Sequence, residues 1–366
     1  MRNKVLVISI ALMLVIGLVI SGCAAPAPSP APSPAPSPAP TPTPAPTAPP
    51  EVEIKLNLLV PPQSVFYKTG MEMIIKWIEE AVPRATVTVF PASSLVKPGD
   101  AYIGTQEGIV DFCQVTASAL PGVFPLDEVF MLPGLFPNMA TSNVVLNELY
   151  RKYPVFKEQF SPKVKHITSI VMLRGDIHST VPIRTLDDLK GKVIGAYGKR
   201  NSEAMAQLGA SVTTMPTSEM YMPLEKGVVD GVVVPWGVVA SFKLYEAAKY
   251  HTLIGINPGV HYWLFNRDTW DKFTPEEQQA LEELGIWIQY GTNVSAVEST
   301  MGVLLSQITP EKGQELIYLS AEDKDRMREL FRPIWNKWAE EMEAQGYPAK
   351  DIIKDAERLT RGYYDN

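Results

Sequence analysis

The chain has almost none of the residue types from which catalytic or metal sites are usually built. Its 366 residues include only two cysteines, Cys23 and Cys113, so no disulfide framework can form. Its four histidines show no spacing typical of metal ligands. It also lacks the motifs of serine hydrolases, nucleotide-binding loops, zinc proteases and thiol oxidoreductases. We therefore expect no catalytic residues, no cofactor and no metal.

An excess of basic residues is missing too. Charged residues make up 20% of the chain and hydrophobic residues 46%, as in ordinary soluble globular proteins. Loss of residues 1–22 would remove Arg2 and Lys4 and no acidic residue, which changes the formal charge from −7 to −9. A moderately acidic body argues against nucleic acid as a partner. Cys113 is expected to pack as a small apolar residue.

The start of the chain indicates export and a lipid anchor. Arg2 and Lys4 precede an apolar run over residues 5–20, and small residues lead to Cys23. Such a run is too short to span a bilayer and is typical of a cleaved secretory signal. We predict a lipoprotein signal peptide over residues 1–22 and lipidation of Cys23; an uncleaved membrane anchor is the alternative. In both cases the body lies outside the cytoplasm, on the cell membrane or the periplasmic face.

A proline-rich spacer follows the anchor. Residues 24–50 mostly alternate proline with alanine, serine or threonine. Because proline fixes φ and cannot donate a backbone hydrogen bond, this tract favours an extended polyproline II conformation. At ~3.1 Å per residue it would reach roughly 80 Å. We therefore assign residues 23–50 to a lipidated cysteine and a spacer that holds the body away from the membrane.

The remaining chain, about 315 residues, is long enough for two lobes. Periodicity and turn residues predict strands over residues 54–60, 85–90, 165–173, 191–196 and 228–234 and near residue 112. Helices are predicted over residues 67–81, 201–208 and 218–226 and from residue 320 to the end.

One further helix has the strongest local signal. Thr274 and Glu277 form a capping-box pattern around Pro275, and the helix is expected to continue to about residue 306. That length could bridge two lobes. Strands that alternate with helices predict an α/β fold with largely parallel sheets.

Several short motifs, in order and spacing, carry a resemblance to a known family. They include Phe90-Pro91-Ala92, Leu132-Pro133-Gly134, Pro182-Ile183, Asp188-Leu189-Lys190-Gly191, Met215-Pro216, Val229-Asp230-Gly231 and Tyr245-Glu246-Ala247. Over about residues 54–345 the chain resembles the substrate-binding proteins of tripartite ATP-independent periplasmic (TRAP) transporters. The resemblance implies two α/β lobes that close as a clamp on a small organic acid, with crossover strands near Leu173 and Leu264 and a long helix across both lobes.

The resemblance also implies a division of the body. Lobe I is expected over residues 51–173 plus about 264–285, lobe II over 174–263 plus about 307–350, and the bridging helix over about 275–306. The closed form would deliver its ligand to a TRAP permease in the membrane. A lipid-anchored sensor that presents the closed form to a receptor is the alternative; an extracytoplasmic enzyme would need a nucleophile or metal site that the sequence does not show.

The chain departs from the family pattern at the expected ligand site. The family usually has an arginine on the strand after Asp-Leu-Lys-Gly that holds the ligand carboxylate, and the matching residue is Gly195. Val234 stands where a polar residue is common, and Trp236 follows soon after. A site that has lost a cation and gained apolar surface favours an aromatic or branched monocarboxylate over a compact dicarboxylate.

Candidate ligand-binding residues follow from this pattern and from the carboxyl edges of the predicted strands, where ligands of open α/β sheets bind. We nominate Arg174 first and Arg200 second as the group that pairs with a carboxylate. The full set is Phe66, Gln114, Thr116, Arg174, Gly195, Tyr197, Arg200, Val234 and Trp236.

Overall fold

The computed structural model describes residues 50–64, 66–256 and 259–364. The predicted signal peptide, Cys23 and nearly all of the spacer therefore lie outside the described residues. Residues from Pro50 onward form one compact unit. Every helix in the described ranges is too short or too polar to cross a bilayer.

The secondary structure alternates strands and helices. The strands are β1 (Val52–Asn57), β2 (Ala85–Phe90), β3 (Phe112–Thr116), β4 (Val164–Val171), β5 (Gly175–Ser179), β6 (Val193–Ala196), β7 (Ser211–Thr214), β8 (Gly231–Pro235), β9 (Tyr250–Ile256), β10 (Val260–Asn266) and β11 (Glu315–Tyr318). The helices are α1 (Glu72–Ala81), α2 (Ala101–Gln106), α3 (Met139–Lys152), α4 (Val155–Glu158), α5 (Lys199–Gln207), α6 (Tyr221–Glu225), α7 (Trp236–Ser241), α8 (Arg267–Trp270), α9 (Pro275–Ser306), α10 (Ala321–Glu343) and α11 (Ala349–Tyr364).

Two mixed sheets define two lobes, as the sequence predicted. The first sheet has the order β2-β1-β3-β10-β4 and the second β11-β9-β5-β8-β6-β7. In the first sheet β10 runs antiparallel to both neighbours, and in the second β5 does so. Each of these two strands directly follows a passage of the chain from the other lobe. The sheets are thus less uniformly parallel than expected.

The two passages between lobes fix the domain boundaries. The first lies between Val171 and Gly175, close to the expected position at Leu173. The second precedes Val260, because all of β10 belongs to the first sheet. Leu264, expected at the second crossover, instead pairs with Cys113 and His166 inside that sheet. Residues 260–263 therefore belong to the first lobe rather than the second.

The long helix α9 connects the lobes as predicted. Thr274 Oγ1 accepts from the Glu277 N–H at 3.3 Å, and Glu277 Oε2 accepts from the Thr274 N–H at 2.8 Å, which completes the capping box. The first half of the helix buries Leu281 and Ile288 in the core of the first lobe. Its last turns pack Val303 against the core of the second lobe, next to α7.

The C-terminal helices depart from the expected division. β11 joins the second sheet, but α10 contacts both α5 and the 3₁₀ segment Leu126–Met131 of the first lobe, and α11 packs on α3. The indole N–H groups of Trp335 and Trp338 donate to the Pro133 and Pro125 carbonyls at 2.9 and 3.1 Å. Burial of each such ring contributes roughly 1.5–3 kcal/mol. Most of residues 321–364 therefore holds the two lobes together rather than extending lobe II.

Candidate functional site

A small cavity lies between the two lobes. Its volume is about 100 Å³. The first lobe contributes the turn after β3 and the 3₁₀ segment Leu126–Met131, and the second lobe contributes residues 197–201, where β6 ends and α5 begins. Its lining includes Ala117, Pro121, Glu128, Met131, Tyr197 and Arg200. The space is large enough for a ligand of a few heavy atoms, since one water needs only about 10–15 Å³ by the same measure.

Gly198 shapes the second-lobe wall of this cavity. Its φ of +71° is a conformation that other residues rarely adopt, and a Cβ atom there would contact nothing within 4 Å. Glycine is needed here for the turn rather than for space. The turn places the N-terminus of α5 at the cavity, and the first N–H groups of a helix have no intrahelical acceptor. This wall therefore offers hydrogen-bond donors and a partial positive charge.

Arg200 links the two lobes through an ion pair. Its side chain is 7% exposed; Nη2 donates to Glu128 Oε2 of the first lobe, and Nη1 donates to Glu203 Oε2 at 2.9 Å. Burial opposes the charged form of Arg200, but the two carboxylates outweigh this and raise the pKa of the guanidinium. The predicted carboxylate clamp is thus already occupied by two acidic side chains.

Two residues that line the cavity each have one buried polar atom without a hydrogen-bond partner among the described residues. One is Arg200 Nε, a donor, and the other is Asn201 Oδ1, an acceptor. The orientation of the Asn201 amide is fixed because its Nδ2 donates to the Tyr197 carbonyl at 3.0 Å. Leaving such buried groups unpaired is costly, and neither atom is accessible to solvent in this structure.

A second polar cluster joins the two passages between the lobes. Asp176, at the start of β5, accepts from the N–H groups of Ile254 and Gly255 at 3.0 Å each and from Trp236 Nε1 at 3.0 Å. Burial raises the pKa of this carboxyl group, while the nearby Arg174 guanidinium and the three donors lower it. Asp176 thereby ties the strand that enters the second lobe to the strand that leaves it.

Arg174 lies in the first passage between the lobes and extends toward the first lobe. We call the two passages, with the Asp176 cluster that joins them, the hinge. Its Nη1 donates to the Pro137 carbonyl. Gly255, at φ +69°, lies so close that an added Cβ atom would come within 2.2 Å of Arg174 Nη1. Arg174 is half-buried beside the Asp176 carboxylate, so its charge is offset within the hinge. It contacts both lobes but does not line the cavity described above.

Trp236 lies inside the second lobe rather than on the cleft wall. Its side chain is 5% exposed and packs against His178 and His251 at ring-centroid distances of 4.6 and 5.1 Å. His178 Nδ1 lies 2.8 Å from His251 Nδ1. Burial lowers the pKa of His178 well below its usual value and that of His251 to about 4. Trp236 therefore supports the hinge carboxylate in this conformation.

Gly195 and Val234 also face the interior. A Cβ atom at Gly195 would lie 3.1 Å from Val232 Cγ1, so even alanine would be tight there. Val234 is fully buried, and its carbonyl oxygen lies 3.1 Å from His178 Nε2. These two positions shape the second-lobe core, and their predicted role in ligand contact remains a prediction.

The first-lobe candidates divide between cavity and core. Thr116 ends β3 beside the cavity, and its hydroxyl lies 2.9 Å from Ser118 Oγ. Gln114 is buried; it accepts from the Leu59 N–H at 3.3 Å and its Nε2 lies 3.4 Å from His261 Nδ1. Phe66 is half-buried against the core around α1. Tyr197 and Arg200 are thus the candidates that line the cavity, and Thr116 contacts it through Ser118.

Several cavity residues were missed from the sequence, and the two polar ones that matter most are Glu128 and Asn201. Glu128 lies in the run Leu126-Asp127-Glu128-Val129-Phe130, where two acids interrupt an apolar stretch. That interruption was the available signal, because acids inside a buried run need partners. No such signal marked Asn201, because asparagine in the first turn of a predicted helix is ordinary.

The comparisons identify the family. The model of the bacterial extracellular solute-binding protein family 7 matches residues 59–341, and the chain belongs to this family. Among curated relatives, the ectoine/5-hydroxyectoine-binding periplasmic protein of Ruegeria pomeroyi is 24% identical over 69% of this chain and 76% of its own length. The C4-dicarboxylate-binding periplasmic protein of Rhodobacter capsulatus is 25% identical over 80% and 88%.

A solved structure supports the same fold. A marine metagenome TRAP solute-binding protein, described as specific for aromatic acid ligands, superposes with a TM-score of 0.75 at 22% identity. The match covers 86% of this chain and 99% of that protein. The two-lobe architecture predicted from the sequence is therefore confirmed at the level of the fold.

Proposed function

We propose that this member of solute-binding family 7 captures a small organic acid in the cavity between its lobes and delivers it to a TRAP-type permease. The observation that carries the proposal is a partly open cavity with walls from both lobes, spanned by the Arg200–Glu128 ion pair. A ligand that contacts both walls stabilises the closed arrangement by its differential affinity for it. The protein acts by binding alone, without chemistry.

The ligand class is the first point to test. The apolar lining from Pro121, Met131 and Tyr197 suits a compact apolar body, and the match to a protein specific for aromatic acids is in keeping with an aromatic or branched monocarboxylate. Arg200 is the buried cation at the cavity, Lys199 is an exposed one, and Arg174 lies at the first passage between the lobes. Because one relative is named as binding ectoine and another as binding C4-dicarboxylates, the screen must include both of these ligand classes.

Thermal-shift screening of the purified protein against a library of organic acids, followed by calorimetry, tests this proposal. Ligand binding stabilises the folded state by mass action and so raises the melting temperature. At a ligand concentration of one hundred times Kd, the free energy of unfolding rises by about 2.7 kcal/mol. At least one monocarboxylate should give such a shift, and Arg200→Ala should abolish it. Gln207→Ala, an exposed change on the same helix, is the control. A library without any stabilising acid would contradict the proposal.

We propose in addition that the mature protein is anchored by a lipid on Cys23, outside the cytoplasm. The support is the basic, apolar and small-residue order of residues 1–23. Cys23→Ala should stop lipid attachment and leave either precursor or released protein. Membrane fractionation with mass measurement checks this: a variant of the same processed mass, retained on membranes like the wild type, would show that Cys23 is not the anchor.

A further inference from the structure

The long connecting helix α9 is apolar on two faces, and the fold buries only one of them. The buried face packs Leu281 and Ile288 into the first lobe and Val303 against the second. A second row of apolar side chains is 44–74% exposed: Ile286, Tyr290, Val294, Val297, Met301 and Leu305. We call these six residues the apolar row. A helix that is apolar on both sides is usually buried on both sides, so the row indicates contact with another molecule.

The apolar row occupies one continuous face of α9. Each residue of an α-helix advances about 100° around the axis, so the row lies within an arc of about 100° and extends over about 28 Å. Charge is scarce beside it, because residues 284–307 contain one charged residue, Glu298, whereas charged residues make up 20% of the whole chain. Helix faces in water usually carry charged residues, and the centres of interfaces are depleted of them. This face therefore suits an apolar partner.

The order of the apolar row points to a second copy of the chain as that partner. Its spacings of 4, 4, 3, 4 and 4 residues are the same in both directions, so the row is symmetric about its midpoint between residues 295 and 296. In a two-fold contact, residue i of one copy meets residue j of the other, and j meets i. Two antiparallel α9 helices related by an axis at this midpoint would match every apolar residue with another. The pairs are Ile286 with Leu305, Tyr290 with Met301, and Val294 with Val297.

We propose that the protein forms a reversible two-fold dimer in which the α9 helices of two copies pair antiparallel through the apolar row. The half of α9 that packs on the first lobe of one copy lies against the half that packs on the second lobe of the other. Six side chains exposed to this extent offer roughly 600 Å² per copy, or about 1,200 Å² in total, the lower end for specific interfaces. The dimer therefore dissociates on dilution. Its formation does not depend on which ligand the cavity takes.

Sedimentation velocity on residues 24–366, which lack the predicted lipid anchor, tests the dimer. Between about 1 and about 200 µM the protein should shift from monomer to dimer, as a low-area interface predicts. Val297→Asp places a carboxylate next to the two-fold axis in each copy and should weaken the dimer at least tenfold, because the charge loses water in the contact. A wild-type protein that stays monomeric over this range overturns the proposal, and so does a Val297→Asp protein that dimerises like the wild type.

A matched pair of isoleucines supplies the control for nonspecific effects of a new charge. Ile286, in the apolar row, is 61% exposed, and Ile103, on α2, is 62% exposed. Ile286→Asp should weaken the dimer about threefold or more, since it removes an end pair of the row. Ile103→Asp should leave the dissociation constant unchanged. The melting temperatures of the variants show that they are folded. Equal effects of the two changes would mean that the apolar row is not the interface.

Mixed cysteine variants test the antiparallel register. The native cysteine of residues 24–366, Cys113, is buried. In the proposed dimer the two copies of residue 290 lie about 16 Å apart along the helices, as do the two copies of residue 301, which is beyond the reach of a disulfide. Tyr290→Cys and Met301→Cys should therefore crosslink poorly alone and readily when mixed under mild oxidation. Crosslinking of either variant alone as fast as the mixture overturns this register. None of these outcomes bears on the acid screen, so the proposed function stands or falls separately.

Discussion

The two lobes each bury an aspartate among aromatic rings, but they surround it with different kinds of donor. In the first lobe, Asp127 accepts from the hydroxyls of Tyr150 at 2.9 Å and Tyr262 at 2.8 Å. In the second, Asp176 accepts from two backbone N–H groups and an indole N–H. A hydroxyl can donate or accept, whereas an amide or indole N–H can only donate. The first site therefore suits a protonated or ionised carboxyl group, and the second only an ionised one.

Asp127 and Asp176 also differ in the charges around them and in their positions in the fold. Burial raises the pKa of Asp127 to about 7, although the two tyrosine hydroxyls lower it in part. Arg174 lies beside Asp176 and offsets its charge, whereas the described residues that bond to Asp127 are tyrosines and include no cation. Asp127 lies in the core of the first lobe, and Asp176 joins the strands of the hinge. The site that accepts only an ionised carboxylate thus lies at the passages between the lobes.

The largest effect is expected at the hinge. Asp176→Asn places an amide NH₂ against either Trp236 Nε1 or the N–H groups of Ile254 and Gly255, so a buried donor loses its acceptor, and Arg174 loses its neighbouring charge. We expect a loss of about 3–5 kcal/mol in the free energy of unfolding. Urea denaturation followed by tryptophan fluorescence measures it. A loss below about 1 kcal/mol would mean that the carboxylate charge does not matter there.

The matched change in the first lobe should have the opposite sign at alkaline pH. Asp127 has a folded-state pKa of about 7 against a usual 3.8, so the folded state binds more protons between these values and stability falls as pH rises through them. Asp127→Asn removes this dependence and should stabilise the protein at pH 8 by on the order of 2–4 kcal/mol. Denaturation at pH 5 and pH 8 checks it. If the stability of the variant depends on pH as strongly as that of the wild type, Asp127 is not the group that causes this dependence.

The histidines should act in the other direction on acidification. Burial lowers the pKa of His251 and His261 to about 4 and that of His166 to about 3, against a usual 6.5. Because the unfolded chain binds more protons between pH 6.5 and about 4, stability is lost as pH falls through this window, by on the order of 1–3 kcal/mol per histidine. NMR titration of the imidazole resonances measures the pKa values directly. Titration near pH 6.5 in the folded protein would contradict the prediction.

A smaller effect is expected at Gly255. Its φ of +69° and its contact with Arg174 both oppose a side chain. Gly255→Ala should cost about 1–2 kcal/mol in the free energy of unfolding, since the end of the arginine can move aside but the backbone strain remains. Gly313→Ala, at φ +69° with open space around its Cβ position, is the matched control for strain alone. Equal losses in the two variants would show that the contact with Arg174 does not affect the free energy of unfolding.

Local signals in the sequence predicted their elements well. The start of α9 was predicted because the capping box of Thr274 and Glu277 uses residues three apart in the chain. The strand β2 was predicted with its observed bounds, Ala85–Phe90, because its apolar residues alternate. The two-lobe fold followed from motifs spread over the whole body, which the family comparison confirmed.

The elements that were missed depend on partners far along the chain. The strand β5 has polar Asp176, His178 and Ser179 in a fully buried run, so its pattern did not indicate a strand. Asp176 and His178 find their partners through tertiary contacts; Trp236, for example, lies 60 positions from Asp176. For the same reason Trp236 was expected in the cleft, whereas its N–H is used inside the second lobe. The Arg200–Glu128 pair, 72 positions apart, was equally invisible from local sequence.

X-ray scattering of the purified protein with and without a saturating acid identified by the screen tests the central claim most directly. If the ligand binds between the lobes and draws them together, the radius of gyration falls on binding. Glu128→Gln should weaken this contraction, because it removes the charge that pairs with Arg200 across the cavity. An unchanged radius of gyration at full saturation in the wild type would contradict a ligand-driven closure of the two lobes.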